Sequence, residues 1–493
     1  MQVTPGIIFM HKRFVFNFVC RILFLVSLVM IFPLLWALSD EDPNQGIRAF
    51  GFTILLGLIF SVFIISIFKV KKLQIEQATY KDTLSIVGLS WVLLSLWGAL
   101  PLYLMEVVPN YTDAVFEIVS GFTTTGSSIF KDVEILPRSI LFWRSLTHWL
   151  GGLGVISFFI ALFPSFGITS MRLYNFESSG IDSSKMSSQI RKTASLLWII
   201  YIFLTVISVL LLYFNGMPIF DAICHAFGAI ATGGYSTKNA SIGAYGRNIQ
   251  WIIIFIMVSG GVNFSFYIKL LRGQFRNIFK SEEIWLYFAL LFGGSVICAI
   301  LLSSHGKIFD NILDSVFQVV SIMTATGYAT TDFAQWPYGA QCILLILMFV
   351  GGCVGSTSGG FKVVRVLVSF KKSFQTIKQY IYPHAIISVR LNGVALSEKI
   401  ILSVMSYFII YIVLFVFGAM LLLIFESCDI VTAISASISA LSSVGPGLGA
   451  VGPMQNYAWM TIWSKWTLIF LMLAGRMELH AILLLFIPAT WRK

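Results

Sequence analysis

Four short stretches of this 493-residue sequence have the residue types to hold a cation through backbone oxygens. Each follows a semi-apolar run of 11 to 13 residues and places a glycine after a β-branched residue. These turns contain Thr124, Thr125 and Gly126; Thr232 and Gly233; Thr326 and Gly327; and Val444 and Gly445. The β-branched residue favours extended backbone, and glycine reaches dihedral angles that let successive carbonyls face one way. Since rings of loop carbonyls can replace an ion's hydration shell, the turns predict an ion selectivity filter.

The four turns form an internal repeat, with glycine separations of 107, 94 and 118 residues. The position six residues before the glycine is small in three copies and aromatic in the second: Ser120, Phe227, Ser321 and Ser439. An acidic residue or a threonine lies 13 residues before the glycine, or 12 in the second copy: Asp113, Asp221, Asp314 and Thr432. Four ordinary loops with chance Thr-Gly dipeptides are the alternative. Recurrence at the same place between two apolar spans favours the repeat.

The elements that must position these turns are membrane helices. With 57% hydrophobic and 11% charged residues, the chain has too little polar surface for a water-soluble protein of its length. Apolar runs of about 20 residues predict ten spans: 15–38, 50–69, 84–105, 139–163, 195–215, 249–270, 284–303, 340–368, 399–425 and 460–488. The runs before the four turns are too short to span, and irregular backbone at membrane depth must line a cavity or lie within protein. They are therefore predicted to be re-entrant helices.

Basic residues mark the topology. Of the 33 Lys and Arg, 23 lie in alternate connections and at the two ends of the chain, so the positive-inside rule places both termini in the cytoplasm. The net charge of +11 is thereby explained without nucleic acid. The first apolar run, 15–38, is longer than the core of a secretory signal and is interpreted as a retained helix.

The second helix of each repeat carries small residues near mid-membrane, where they allow close helix approach or a break. The third copy is extreme and contains Gly351, Gly352, Gly355, Ser356, Thr357, Ser358, Gly359 and Gly360. Each glycine inside a helix costs about 1 kcal/mol relative to alanine, so the pattern predicts a broken helix whose loop lies in the permeation path. A phosphate-binding loop is the alternative, but the Walker spacing and a preceding strand are missing.

Arg476 lies at a matching depth in the last predicted span. A charge there is expected to face a polar interior. One interpretation is a structural contact with Glu478 or with carbonyls at a helix end. The other is a positive charge inside the filter that opposes cation flow and anchors the glycine-rich segment. Both hold together, and we predict that residues 351–360 and Arg476 form a gate.

Two other classes of protein were weighed against a pore. A secondary transporter with inverted repeats also uses broken helices, but these repeats run parallel and no mid-membrane carboxylate pair suggests a proton relay. An enzyme would need a catalytic or metal-binding pattern, and the six histidines form none. His148 and His225 are interpreted as hydrogen-bonded packing residues, and the six scattered cysteines as core residues. The chain is not expected to be an enzyme.

The sequence resembles the Trk/Ktr/HKT superfamily of potassium-uptake proteins, and its TrkH-type membrane subunit in particular. The resemblance covers nearly the whole chain and is carried by Gly121–Gly126, Trp143–Ser145, Trp149–Gly154, Gly260–Phe264, Gly351–Gly360, Val444–Gly449 and Gly475–Glu478. The expected fold is an all-α polytopic membrane protein with four pseudo-fourfold helix, pore-loop, helix repeats around one pore and two additional N-terminal spans. Its predicted divisions are 1–70 for the N-terminal pair, 82–170, 190–275, 282–370 and 399–493 for the repeats, and 371–398 for a cytoplasmic linker.

The resemblance also carries functional expectations. It implies K⁺ uptake across a bacterial inner membrane, with potassium bound by the filter residues and no organic cofactor. Sodium-preferring members carry serine at the first filter glycine, where this chain has Gly126. The expected partners are a second copy in a homodimer, a cytosolic TrkA-like nucleotide-binding regulatory subunit and membrane lipids. Proton- or sodium-coupled symport by the same fold, or a secondary transporter of another class, remain alternatives. Val444 and Pro446 depart from the other three filters, so fourfold symmetry is expected to be approximate.

Overall fold

The computed structural model describes residues 12–70, 80–152, 187–274, 276, 280–303, 308–385, 387–477 and 487. The N-terminal part and first repeat contain α1 (Lys12–Val29), α2 (Ile31–Ala37), α3 (Pro43–Ile67), α4 (Tyr80–Gly98), α5 (Leu100–Leu104), α6 (Tyr111–Phe122) and α7 (Arg138–Gly152). The second repeat contains α8 (Ser187–Phe214), α9 (Ile219–Ile230), α10 (Arg247–Gly261) and α11 (Ser265–Leu271). The third contains α12 (Glu282–Leu302), α13 (Ile308–Met323), α14 (Tyr338–Val350) and α15 (Val363–Ile381). The fourth contains α16 (Glu398–Phe425), α17 (Ile430–Ser442) and α18 (Ile462–Arg476).

Six helical segments within the described residues are long and apolar enough to cross a membrane. They are Lys12–Ala37, Pro43–Ile67, Leu84–Leu104, Ser195–Phe214, Glu282–Leu302 and Glu398–Phe425. Each coincides with a predicted span, because long unbroken apolar runs can bury their backbone hydrogen bonds only as helices. Many of their large apolar side chains are exposed, as expected for surfaces that face lipid.

The remaining four predicted spans are the second helices of the repeats. The predicted span 249–270 is divided into α10 and α11, which meet at a bend of 98° directly after the small residues Gly260 and Gly261. In 340–368 the predicted break is present: α14 ends at Val350 and α15 begins at Val363. Spans 139–163 and 460–488 continue into residues outside the described part of the chain.

Four short helices, α6, α9, α13 and α17, precede the four turns. Two begin at a side-chain cap, where Asn110 accepts from the backbone N–H of Asp113 and Asp429 accepts from that of Thr432. In α6 every residue from Asp113 to Phe122 is buried, as are most residues of α17. Such helices face protein on all sides and are held by the longer helices around them. For example, the Ser437 hydroxyl of α17 donates to the carbonyl of Phe415 in α16 at 2.7 Å.

A short β-hairpin lies in the linker before the fourth repeat. Strands β1 (Arg390–Leu391) and β2 (Val394–Ala395) pair antiparallel across an Asn-Gly turn. Lys371 of α15 contacts the carboxylate of Glu282 in an ion pair and donates to the carbonyl of Arg390 at 2.8 Å. The linker is therefore attached to the start of the third repeat.

Candidate functional site

The four turns meet around one axis in a closed ring, which we call the loop ring and define as residues 124–126, 232–234, 325–327 and 443–445. A Cβ atom added to the ring glycine of one repeat would overlap a carbonyl oxygen of the next repeat in order, and the fourth repeat closes onto the first. The pairs are Gly126 with Gly233, Gly234 with Thr326, Gly327 with Val444 and Gly445 with Thr125. Neighbouring loops thus approach so closely that a side chain at any of these positions would force the backbone of the next loop to shift.

The ring corrects the predicted register of the second repeat. The four glycines with positive φ in the ring are Gly126 (85°), Gly234 (82°), Gly327 (81°) and Gly445 (104°). Gly234 is therefore the ring glycine, and Gly233 takes the place held by a β-branched residue elsewhere. The backbone confirms this alignment, because Gly233 N–H donates to the carbonyl five residues earlier, at Gly228, as Thr125 N–H does to Ser120.

A signal for the correct register was present in the sequence. Counted from Gly234, the residue six positions earlier is Gly228, which is small as in the other three repeats. Asp221 then lies 13 positions earlier, at the same offset as Asp113 and Asp314. Residues 233 and 234 are both glycine, and only the first of them follows a β-branched residue, Thr232. The rule of a glycine after a β-branched residue therefore selected Gly233 and not Gly234.

In each loop the residue two positions before the ring glycine has a strained backbone. Its φ is positive in all four loops: Thr124 (53°), Thr232 (53°), Ala325 (56°) and Ser443 (56°). Residues other than glycine adopt this left-handed region at a cost of roughly 1–3 kcal/mol when the surroundings impose it. Each of the four lies at the end of a short buried helix. The strain turns the chain out of the helix and into the ring.

A vestibule of about 160 Å³ lies at one end of the ring and is lined by Gly126, Gly234, Gly327 and Gly445 together with the connecting loops. Its wall also carries Lys131, Lys238 and Arg144. At its edge, Lys238 pairs with Glu134 at 3.3 Å, and the Asn239 amide donates to Asp132 at 2.7 Å, which lowers the pKa of that exposed carboxyl. The vestibule gives water access to all four ring glycines.

Tyrosines that follow the ring glycine fasten one repeat to the one before it. The Tyr235 hydroxyl donates to the carbonyl of Glu117 at 2.6 Å, and the Tyr328 hydroxyl donates to the carbonyl of His225 at 3.2 Å. Glu117 and His225 each lie nine positions before their own ring glycine, so the two contacts are equivalent. Sequence reasoning did not identify this role, because it depends on contacts between repeats.

The junction of the fourth and first repeats is different. Here the carbonyl of Gly445 accepts from the Ser127 hydroxyl at 3.0 Å and from the Tyr457 hydroxyl at 2.8 Å. At this junction Ser127 takes the place of the tyrosine. At the junction of the third and fourth repeats that place is held by Pro446, which has no N–H to donate. The expected departure from fourfold symmetry is thus present in the contacts around the ring.

A buried ion pair lies behind the first loop. Arg144 Nε is 2.7 Å from a carboxylate oxygen of Glu117, and both side chains are at most 2% exposed. Glu117 also accepts from the backbone N–H of Ile129 at 2.9 Å, and the Arg144 guanidinium lies 4.1 Å from the Tyr235 ring centre. Buried charges persist where such partners satisfy them, so this pair holds the first loop and the second together.

The segment between α14 and α15, residues 351–362, lies against the helix ends beneath the ring and is here called the broken-helix segment. The Thr357 hydroxyl lies within hydrogen-bond distance of two carbonyl oxygens, those of Ile230 (2.9 Å) and Gly260 (3.0 Å). Gly359 packs so tightly that a Cβ would overlap the carbonyl of Ser442. Residues of the predicted gate therefore contact both the second and the fourth repeat.

Arg476 connects the broken-helix segment to the first repeat. Its Nη1 donates to the carbonyl of Thr357 at 2.7 Å, and its Nη2 donates to the carbonyls of Gly151 (2.6 Å) and Gly152 (2.8 Å). The predicted contact with helix-end carbonyls is present, whereas the alternative partner Glu478 lies outside the described residues. The structure thus brings the predicted gate residues and the loop ring into one continuous site.

The groups that meet in the ring are backbone atoms of the four turns. The ring presents carbonyl oxygens, and within the described part of the chain no group of three or more His, Cys, Asp or Glu side chains could bind a metal ion. Hard cations such as potassium are bound by oxygen ligands, which the ring has in abundance. This fold and site define a mostly helical membrane transporter built from pore-loop repeats.

The chain belongs to the TrkH family of cation transport proteins, whose family model matches residues 51–493. This is a family of transporters and not of enzymes. The chain is 37% identical to the Trk system potassium uptake protein TrkH of Salmonella typhimurium and to that of Escherichia coli, over 98% of this chain and 100% of each relative. It is similar to the crystal structure of the potassium transporter TrkH from Vibrio parahaemolyticus, with a TM-score of 0.87, 31% identity and coverage of 98% and 100% of the two chains.

Proposed function

We propose that this protein takes up potassium through a channel-like pore whose selectivity filter is the loop ring. The observation that carries the proposal is the closed order of the ring, in which each ring glycine packs against a carbonyl of the next repeat. Such a ring presents carbonyl oxygens from four chain segments to one ion. Relatives at 37% identity are named potassium uptake proteins, which supports potassium as the substrate.

The short helices strengthen the attraction for cations. Helices α6, α9, α13 and α17 all end immediately before the ring. The C-terminal end of a helix carries a partial negative charge of about half an elementary charge. Four such ends below a ring of carbonyls favour a desolvated cation there. Gly126, where serine marks sodium preference in the resembling family, supports potassium over sodium.

The proposed gate is the broken-helix segment with Arg476. Three carbonyls, those of Thr357, Gly151 and Gly152, hold the guanidinium. Thr357 contacts the end of α9 at Ile230, and Gly151 packs on the end of α6 at Phe122, so the positive charge lies close to the ends of two short helices. A fixed positive charge below a cation filter opposes ion passage, and release of Arg476 from these carbonyls would lower the barrier. Gly355 and Gly360, both with positive φ, let the segment fold into this compact form.

The proposed setting is a bacterial inner membrane with both termini in the cytoplasm, as the distribution of basic residues supports. A homodimer in contact with membrane lipids and a TrkA-like cytosolic nucleotide-binding subunit are further parts of the proposal, and they rest on the resemblance alone. The second candidate function is proton- or sodium-coupled symport by the same fold. Potassium flux into proteoliposomes without a proton or sodium gradient separates the two, because a coupled symporter needs the second ion.

The experiment that tests the filter is ⁸⁶Rb⁺ and K⁺ uptake by transport-deficient cells that express wild type or Gly126→Ser. We expect wild type to take up both ions in excess sodium and Gly126→Ser to lose this preference. Gly216→Ser is the matched control, since Gly216 also has positive φ (94°) but has open space around it. Uptake of neither ion by wild type would overturn the pore, and an unchanged preference in Gly126→Ser would overturn the filter.

A further inference from the structure

His148 lies between the first and second loops of the ring, on helix α7, with no exposed surface. Its Nδ1 is 2.7 Å from the carbonyl oxygen of Gly121, in the short helix of the first repeat. Its Nε2 is 3.2 Å from the backbone nitrogen of Tyr235, the residue that follows ring glycine Gly234. The imidazole therefore bridges two repeats immediately behind the ring.

The two hydrogen bonds determine which nitrogen of the His148 imidazole carries the proton. A backbone N–H only donates, so Nε2 of His148 must accept the hydrogen bond from Tyr235. Nδ1 then carries the proton and donates to the carbonyl of Gly121. The imidazole is neutral in one tautomer and also stacks on the Tyr235 side chain, with ring centres 4.1 Å apart.

His148 also occupies the space of a missing side chain. A Cβ added to Gly233 would lie 2.6 Å from Cδ2 and from Nδ1 of the imidazole and would overlap Cγ. The other three repeats have a β-branched residue at this position: Thr125, Thr326 and Val444. The second repeat has glycine here because the imidazole fills the volume.

The position of His148 also differs from the equivalent positions of the other three repeats. His148 lies three residues before Gly151, and the residues three before the corresponding second-helix glycines are all buried methionines: Met257, Met348 and Met472. Histidine is thus combined with glycine at the junction of the first and second repeats, whereas the same positions at the other three junctions hold a methionine and a β-branched residue. Methionine adapts to irregular space, whereas the imidazole is rigid and polar.

We propose that His148 is a positioning residue that sets the ion preference of the loop ring by filling the space beside Gly233 and holding the N–H of Tyr235. The Gly233 carbonyl faces Gly126, so any shift of Gly233 moves an oxygen of the ring. Without a side chain at 233, the rigid imidazole is what limits that movement. The inference rests on the proposed filter function and adds a specificity-determining residue outside the loops.

The test is a double-mutant cycle with His148→Met, Gly233→Thr and both together, measured as the ratio of K⁺ to Na⁺ uptake and as thermal stability of the purified protein. His148→Met leaves Gly233 unsupported, and Gly233→Thr overlaps the imidazole, so each single variant is expected to lower the ratio at least fivefold. The double variant recreates the combination of methionine and threonine that the sequence has for the first loop (Thr125) and the third loop (Thr326). We expect it to recover the wild-type ratio within about twofold, as coupled neighbouring sites do.

The matched control combines His225→Met with Gly233→Thr. His225 is another buried histidine, but its imidazole contacts Asp221 and Ser236 and not the loop ring. The His225/Gly233 double variant should therefore recover none of the lost ion preference. A His148/Gly233 double variant that misfolds, or that is no more selective than the poorer single variant, overturns the inference. Gly126→Ser, run in parallel, separates the two levels: if it alters the ratio while the double variant fails, the filter stands and the role of His148 falls. If Gly126→Ser leaves the ratio unchanged, both fall.

Discussion

Arg476 and Thr357 are 119 positions apart in sequence, yet the guanidinium of one donates to the carbonyl of the other at 2.7 Å. This contact joins the last helix of the fourth repeat to the broken helix of the third. The same side chain reaches Gly151 and Gly152 of the first repeat. One residue thereby ties three of the four repeats together below the ring.

Replacement of Arg476 by alanine is expected to raise passive K⁺ flux several-fold in proteoliposomes, because it removes both the positive charge and the three carbonyl contacts. Arg476→Lys keeps the charge but lacks the planar guanidinium that reaches several carbonyls at once. Its K⁺ flux should therefore lie between those of wild type and Arg476→Ala. Unchanged flux of a folded Arg476→Ala variant would contradict the proposed gate.

Gly234→Ala tests the corrected register of the second loop. The added methyl group would overlap the carbonyl of Thr326 and force the second and third loops to shift, so uptake should fall several-fold. Gly216→Ala is the control, since Gly216 shares positive φ and has nothing within 4 Å of the added atom. Any strain from positive φ is common to both variants, and ⁸⁶Rb⁺ uptake would isolate the effect of the ring contact. Full uptake by Gly234→Ala would show that the second loop does not approach Thr326 in the working protein.

The buried ion pairs are expected to contribute strongly to folding. Asp113→Asn leaves Lys465 buried 2.6 Å from a neutral amide, and loss of one partner in such a pair costs about 3–5 kcal/mol. Thermal unfolding in detergent should register this as a clear drop in Tm. Lys238→Ala removes an exposed pair with Glu134 and should change stability by less than about 1 kcal/mol. Equal effects of the two substitutions would argue against burial as the cause.

Gly151→Ala tests the close approach of the second helix to the short helix. A Cβ at Gly151 would overlap the carbonyl of Phe122, and the same relation joins Gly475 to Leu441. Overpacking of this kind costs roughly 1–3 kcal/mol, so Tm should fall. Gly293→Ala in α12 has nothing within 4 Å and should stabilise the protein by up to about 1 kcal/mol through helix propensity. A stabilised Gly151→Ala variant would rule out a tight contact there.

Much of the architecture follows from the sequence alone. Long apolar runs determine the six long spans, because backbone in hydrocarbon must satisfy its own hydrogen bonds. The break between Val350 and Val363 was equally legible, since five glycines in ten residues cannot sustain a helix. The sequence left the bend between α10 and α11 open, because Gly260 and Gly261 allow either a break or a close helix approach and the hydropathy of 249–270 stays high across the bend.

The loop ring shows the same division between sequence and tertiary structure. Four glycine-bearing turns, their order and their place between spans were determined by sequence, and three of the four ring glycines were identified correctly. Only the tertiary structure decided that Gly234 and not Gly233 completes the ring, because the choice depends on which glycine meets the carbonyl of Thr326 and which makes room for His148. Those neighbours lie 92 and 85 positions from them in the chain, and local sequence carries no record of such contacts.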